Sequence, residues 1–253
     1  MISPVLANIA LDGLESLLRG KAGYIRYADD LIVTAKSMEE IEALKPLVEK
    51  FFEERGLVLN TEKTRIAAVK DGFNFLGFNV RTYKGKCIVK PQKEKVHDFL
   101  KDIRLWLRNH KTITVEAVIA HLNPILRGWG NYYKCVNSKK TFDYVDHQIW
   151  QALWRWCLRR HPNKGKDWVY RRYFKRLNGR DWTLFCKVSD RITHLPIDIH
   201  LTRVSQIPIK HHVKVARDAS PDDPSLHIYW WKRKSKGRYS PEDIAKAQRM
   251  QNA

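Results

Sequence analysis

Apolar residues recur at helical spacing from Ser3 to Leu18 (Val5, Ile9, Leu11, Leu14, Leu17 and Leu18), and Gly20 breaks the pattern. Two short apolar runs follow, Tyr24 to Ala28 and Leu31 to Ala35, separated only by Asp29 and Asp30. Runs of that length joined by two residues predict a tight β-hairpin. Ser37 and Glu40 form an S-x-x-E capping box, which opens a helix that buries Ile41, Leu44, Leu47, Val48, Phe51 and Phe52 and ends at Gly56. Pro46 lies inside that helix and is expected to weaken it. Short strands are expected at Leu57 to Leu59, Thr64 to Val69 and Phe73 to Val80.

Beyond residue 90 the period becomes helical. Lys93 to Asn109 places Val96, Phe99, Leu100, Ile103, Trp106 and Leu107 on one face. A helix near Val115 to Leu122 is expected to be interrupted by Pro124, and a longer one buries Phe142, Val145, Ile149, Leu153 and Trp156 before Pro162. From Trp168 the signal weakens. Asn178-Gly179 predicts a hairpin turn, and Ile197, Ile199 and Leu201 alternate as in a strand. The fold class expected is α+β. Helix, hairpin, helix and strand over residues 1–85 read as a ferredoxin-like βαββαβ unit without its first strand, followed by a helical domain. Three segments are expected: 1–85, a helical 86–180, and a basic 181–253.

Charge sharpens this division. Residues 1–85 hold 12 Lys and Arg against 12 Asp and Glu, whereas residues 86–253 hold 35 against 15 and all nine tryptophans. A basic, aromatic-rich segment joined to a neutral one points to nucleic-acid binding beside another activity; a merely basic soluble protein is the competing reading. No apolar run approaches the roughly 18 residues of a membrane span, and no signal peptide is evident. Cys87, Cys135, Cys157 and Cys186 form no CxxC pair, so free thiols and a cytoplasmic location are expected in place of a zinc site.

Asp29 and Asp30 carry the clearest chemistry. Aspartate is common in turns, because it bonds its own backbone and tolerates unusual φ/ψ. Here nearly all the flanking residues are apolar, and holding two like charges beside a desolvated sheet is costly unless a cation neutralises them. A hard ion such as Mg²⁺, bound through one or two carboxylates, would do so.

At this point the sequence resembles the reverse transcriptases. Tyr27-Ala28-Asp29-Asp30 resembles their YADD box, and three more motifs occur in the family's order. Ile2 to Ile9 is similar to the stretch near the nucleotide site, Gly56 to Asn60 with Glu62-Lys63-Thr64 to a later palm motif, and Phe75-Leu76-Gly77-Phe78 to the primer grip. The basic half narrows the family. Leu122 to Tyr133, with Trp150, Trp154, Arg155, Trp156 and Arg159-Arg160-His161-Pro162, resembles the maturase (X or thumb) domain of group II intron-encoded proteins. Trp168 to Phe174 continues the likeness, and Ile209 to Pro224 is similar, more loosely, to their DNA-binding segment.

The resemblance implies a truncated polymerase palm followed by a helical thumb. It makes Asp29 and Asp30 catalytic ligands of Mg²⁺ (or Mn²⁺), in the two-metal manner of polymerases. Lys63 would lie near the incoming triphosphate, although an isolated lysine after a strand is ordinarily solvated. Phe75, Leu76 and Gly77 would form the primer grip. Nucleic-acid contacts would come from Arg127, Tyr132, Tyr133, Lys134, Arg155, Arg159, Arg160, Arg171, Arg172, Lys210, His211 and Lys214. Trp129, Trp150 and Trp156 are expected in the core. His211-His212 lacks acidic or Cys neighbours, so a basic surface is expected there and not a metal site.

The partners implied are group II intron RNA, an RNA template with a DNA primer, and target DNA; homodimerisation stays open. The family's fingers, the motif with its first catalytic aspartate and a Gly-Gly preceding residue 1 are missing, so the chain alone is expected to be inactive in DNA synthesis. Two alternatives remain: an RNA-binding maturase with no enzymatic role, and a reverse transcriptase of another system such as a retron.

Overall fold

The computed structural model describes residues 3–60, 62, 64–177, 179–189, 194–216 and 219–234. The chain is α+β, with small antiparallel sheets among helices. Residues 1–208 form one compact unit and residues 209–253 a second.

The first unit opens with α1 (Ser3–Ala10) and α2 (Leu14–Leu18). The single expected helix is divided between them, because Gly13 adopts a left-handed φ of 87° that side-chain-bearing residues avoid. β1 (Gly23–Tyr27) and β2 (Asp30–Thr34) form the expected hairpin, Tyr27 opposite Asp30. Among the described residues this hairpin pairs with no third strand.

α3 (Met38–Glu53) starts on the expected capping box. The Glu40 amide donates to Ser37 Oγ at 3.3 Å, and Glu40 Oε2 accepts from the Lys36 amide at 2.9 Å. α3 runs through Pro46 without a break. It closes with Gly56 at φ 68° and the Phe52 carbonyl accepting from both the Arg55 and the Leu57 amides, a left-handed C-terminal cap. Leu11, Leu14, Leu18, Leu44, Val48, Phe51 and Phe52 make a local core, onto which Tyr24, Leu31 and Val33 pack from one face of the hairpin.

Residues 57–59 and 64–69 are not strands, contrary to expectation. The second stretch is tied to its neighbour only locally: the Thr82 amide donates to the Val69 carbonyl and Arg81 Nε to the Lys70 carbonyl. Apolar alternation without a paired ladder does not make a strand. The expected single strand 73–80 is a hairpin, β3 (Phe73–Phe75) and β4 (Phe78–Tyr83), turning at Leu76-Gly77. β4 pairs in turn with β5 (Lys86–Pro91), so this sheet runs across residues 85 and 86, where the charge balance changes.

α4 (Lys93–Asn109), α5 (Val115–Tyr133) and α6 (Lys139–Arg160) form the main helical core. α5 passes through Pro124. The hydrogen bond lost there is outweighed by burial of Val118, Ile119, Leu122 and Leu126 along the same face. Trp129 stacks on Phe99 of α4 at 4.8 Å, and Trp156 of α6 is fully buried. α7 (Lys166–Tyr173) leads into a three-stranded sheet of β6 (Phe174–Leu177), β7 (Arg180–Ser189) and β8 (Pro196–His200). Gly179, at φ 73°, lies between β6 and β7; Asn178 lies outside the described residues. Asn123 of α5 binds the segment after β8 at two points, donating to the His200 carbonyl at 3.1 Å and accepting from the Thr202 amide at 2.7 Å.

The second unit holds α8 (His227–Lys234). Arg233 donates to the Lys214 and Val213 carbonyls, and the Trp230 indole to the Ser220 carbonyl at 2.7 Å. No helix among the described residues is long and apolar enough to cross a membrane. All four cysteines are free, and Cys157 is buried in α6.

Burial pushes the Cys157 thiol from 9.0 up to about 12. Its contribution to stability is therefore complete below pH 9 and falls as pH rises from 9 towards 12, as the unfolded chain ionises first. A thiol reagent at pH 8 is expected to label exposed Cys87 rapidly and Cys157 only after denaturation. Equally fast labelling of both in the native protein would refute this packing.

Candidate functional site

The β1–β2 turn positions the paired carboxylates. Ala28, its first residue, sits at φ 55°, an uncommon conformation for a residue with a side chain and one that strain-tolerant turns hold at functional positions. Asp29 and Asp30 are both exposed at the hairpin tip. The desolvated setting expected for them is therefore absent: the hairpin buries the Tyr24, Leu31 and Val33 face, while Ile25 and Tyr27 on the other face stay exposed. Mg²⁺ commonly takes one or two carboxylates and fills its shell with water and phosphate oxygens, so an adjacent exposed pair fits such an ion. No group of three or more His, Cys, Asp or Glu among the described residues is placed to hold a metal. Lys63 lies outside the described residues.

Arg26, not singled out in the sequence, lies on β1 opposite Leu31. Its Nη2 donates to Asn8 Oδ1 of α1 at 2.9 Å, while Nη1 is buried without a partner. A charged residue alternating into an otherwise apolar strand was the available signal.

The Phe75-Leu76-Gly77 turn is held from α5. Leu76 and Gly77 both have positive φ, 48° and 75°. The Tyr132 hydroxyl donates to the Leu76 carbonyl at 2.7 Å and the Tyr133 hydroxyl to the Gly77 carbonyl at 3.2 Å. Phe78 stacks on Tyr132 at 5.2 Å and meets Tyr133 edge-on at 5.3 Å. Burial raises the pKa of both tyrosines; for Tyr132, Tyr27 and Cys135 add to the effect, and for Tyr133, Tyr132 does. Tyr132 thus lies within electrostatic reach of the residue that precedes the aspartate turn.

Residues 1–80 match the family described as Reverse transcriptase (RNA-dependent DNA polymerase), and residues 96–174 match Group II intron, maturase-specific domain. The chain belongs to the reverse transcriptase/maturase family. Retron Ec86 reverse transcriptase of Escherichia coli is 28% identical over 54% of the chain and 40% of its own length. Group II intron-encoded protein LtrA of Lactococcus lactis is 24% identical over 56% of the chain and 28% of its own length. Ribosomal operon-associated A protein of Euglena longa is 23% identical over 70% and 36% respectively. The chain spans well under half the length of these relatives.

In this chain the expected nucleic-acid residues divide by what they touch. Arg127, Arg155, Arg159 and Arg172 are exposed. Arg171 is exposed too and pairs with Asp167 at 2.9 Å, a contact worth little in water. Lys134 donates to Asn131 Oδ1. Arg160 is engaged within the fold: it donates to the Lys111 and Ile113 carbonyls, and its guanidinium lies 4.5 Å from the Trp156 ring centre. Sequence periodicity places Arg160 on the helix but cannot reveal that the α4–α5 loop folds back onto it. Lys210, His211 and Lys214 are exposed in the second unit.

Tyr132→Phe removes the tyrosine donor of the Leu76 carbonyl, and Tyr133→Phe removes one of two donors to the Gly77 carbonyl, the Gln92 amide at 2.9 Å being the other. Each is expected to lower stability by about 0.5–1.5 kcal/mol, read by chemical denaturation. Two neutral substitutions would show that the hydroxyls do not hold the turn.

Proposed function

We propose that the chain is the C-terminal part of a group II intron-encoded reverse transcriptase and maturase, a cytoplasmic protein that catalyses RNA-directed DNA synthesis when intact and binds its intron RNA to assist splicing. In this reading residues 1–85 are a palm lacking its first strand, residues 86–180 the thumb and maturase domain, and residues 181–253 a basic extension. The observation that carries it is a maturase-domain match immediately behind a reverse transcriptase match. That order also favours a group II intron protein over a retron enzyme, although retron reverse transcriptases are among the relatives.

Asp29 and Asp30 would hold Mg²⁺ or Mn²⁺, which when bound activates a primer 3′-hydroxyl and stabilises the leaving pyrophosphate. The Phe75 to Gly77 turn would support the primer end, with Tyr132 and Tyr133 fixing that turn from behind. Lys63 would serve the triphosphate. Exposed Arg127, Arg155, Arg159 and Arg172 would meet RNA phosphates, releasing counterions on binding. Lys210, His211 and Lys214 would face target DNA. A third metal-binding carboxylate would have to come from outside the described residues, so the chain alone is expected to bind RNA without polymerising DNA.

With the chain joined to an upstream half that supplies this carboxylate, Asp29→Ala is expected to abolish DNA synthesis while changing RNA affinity less than about twofold. Primer extension and filter binding on the same preparation read both. Undiminished synthesis by that variant would remove the polymerase assignment.

A further inference from the structure

The first unit contains an open cavity of about 570 Å³ between α6, β7 and the segment after β8, within the range of small-ligand sites, about 300–1,000 Å³. One wall is aromatic. Trp182 lies edge-on to Trp150 at 5.5 Å and to Trp154 at 5.1 Å, and meets Tyr170 at 4.5 Å. The rim is acidic, with Asp143, Asp146 and Asp181 against Arg203 and His147. In a chain of net charge +20 this is a local reversal of sign, and phosphate is repelled there.

Three features show what the cavity recognises. Asp146 is occupied, accepting from the Val204 and Ser205 amides at 2.8 and 3.0 Å, whereas Asp143 and Asp181 are exposed at the rim, Asp181 in a loose, solvent-exposed pair with Arg176 at 3.8 Å. The Trp150 indole N–H is buried with no acceptor, although a buried indole N–H ordinarily has one. Trp182 keeps 38% of its surface exposed and sits at φ 64°, an outlying conformation for so bulky a residue that persists where the surroundings over-determine it. The cavity therefore offers stacking surface, carboxylate acceptors and one unspent donor. No group of three metal-binding side chains occurs among the described residues, so the acids are not a metal cluster.

We propose that this cavity takes one unpaired, amine-bearing base from structured RNA, guanine foremost. A guanine edge presents two adjacent N–H donors that a carboxylate accepts together, and its O6 and N7 accept from an indole N–H. Cytosine and adenine offer one amine. Uracil turns carbonyls towards the acids and is disfavoured. Bases displaced from a helix are read through stacking on aromatic rings and hydrogen bonds to their edges. Exposed Arg172 of α7, with Arg171 in a weak surface pair with Asp167 beside it, supplies positive charge for the flanking phosphates. This inference rests on the RNA-binding reading above and adds a base preference to it.

The test uses the full chain and one RNA hairpin with a single bulged position, occupied by guanine, uracil or an abasic sugar, titrated at several salt concentrations. The guanine bulge is expected to bind about tenfold tighter than the other two, the scale of one good bidentate contact. The double variant Asp143→Asn with Asp181→Asn should lose that preference and keep the salt slope, which reports phosphate contacts alone. A thermal melt equal to that of the parent shows that the variant is folded; if it melts early, Trp182→Phe, which keeps an aromatic face, replaces it and should weaken guanine binding alone. Hairpins that bind equally whatever the bulge overturn the cavity proposal and leave the RNA-binding reading standing. Absence of salt-dependent binding to any hairpin overturns both. A guanine preference unchanged by the variants places the base elsewhere, and an Arg-rich peptide whose binding needs the two acids, without a base preference, makes the cavity a protein-docking site instead.

Discussion

Two tyrosine hydroxyls on consecutive residues of one helix hold the arrangement together. The Leu76-Gly77 turn, with both residues at left-handed φ, directs its two carbonyls out of the β3–β4 ladder, and that of Gly77 accepts from the Gln92 amide at 2.9 Å. An unpaired carbonyl away from water costs on the order of a kcal/mol or more. From the last turn of α5, Tyr132 donates to the Leu76 carbonyl and Tyr133 adds a second donor to that of Gly77, and Phe78 adds ring contacts to both. The turn is thus fixed both to α5 and, through the Gln92 amide, to the junction between β5 and α4. The position of this turn relative to α5 rests on these two oxygens together with the Phe78 ring contacts.

The helical half is locked in the same manner, by side chains bonding to backbone across long sequence separations. The Trp156 indole donates to the His110 carbonyl, Arg160 to the loop that follows, Asn123 to the segment after β8, and Asp146 accepts from two amides of a short helical turn. Such contacts orient α5, α6 and the last sheet as apolar burial alone cannot, because burial is non-directional.

What was legible in the sequence follows from this distinction. Helical spacing located α3, α4 and α6 and their buried faces, and the two apolar runs around Asp29-Asp30 predicted the hairpin, because those signals are local. Trp156 was correctly expected in the core. The extended stretches at 57–59 and 64–69 were misread, since strand formation depends on a partner that alternation does not reveal. Pro124 was overrated: its cost is local, whereas the burial that carries α5 past it is tertiary. Tyr132 and Tyr133 were expected to face nucleic acid, and their hydroxyls are bound to the β3–β4 turn. The hairpin turns at Ala28-Asp29, one residue before the expected Asp29-Asp30, and Asp30 opens β2; both aspartates stand in water, because the hairpin buries the other face.

The sheet of β3, β4 and β5 carries one more consequence. The two family matches end at residue 80 and begin at residue 96, while β4 and β5 pair from Phe78 opposite Pro91 to Tyr83 opposite Lys86. The two regions are contiguous through a shared ladder, with no linker between them. A genetic exchange that brought a foreign partner in at that junction would separate β4 from β5 and leave one of them as a bare edge. A crossover between the two halves keeps this ladder within one parent only if it falls outside residues 78–91.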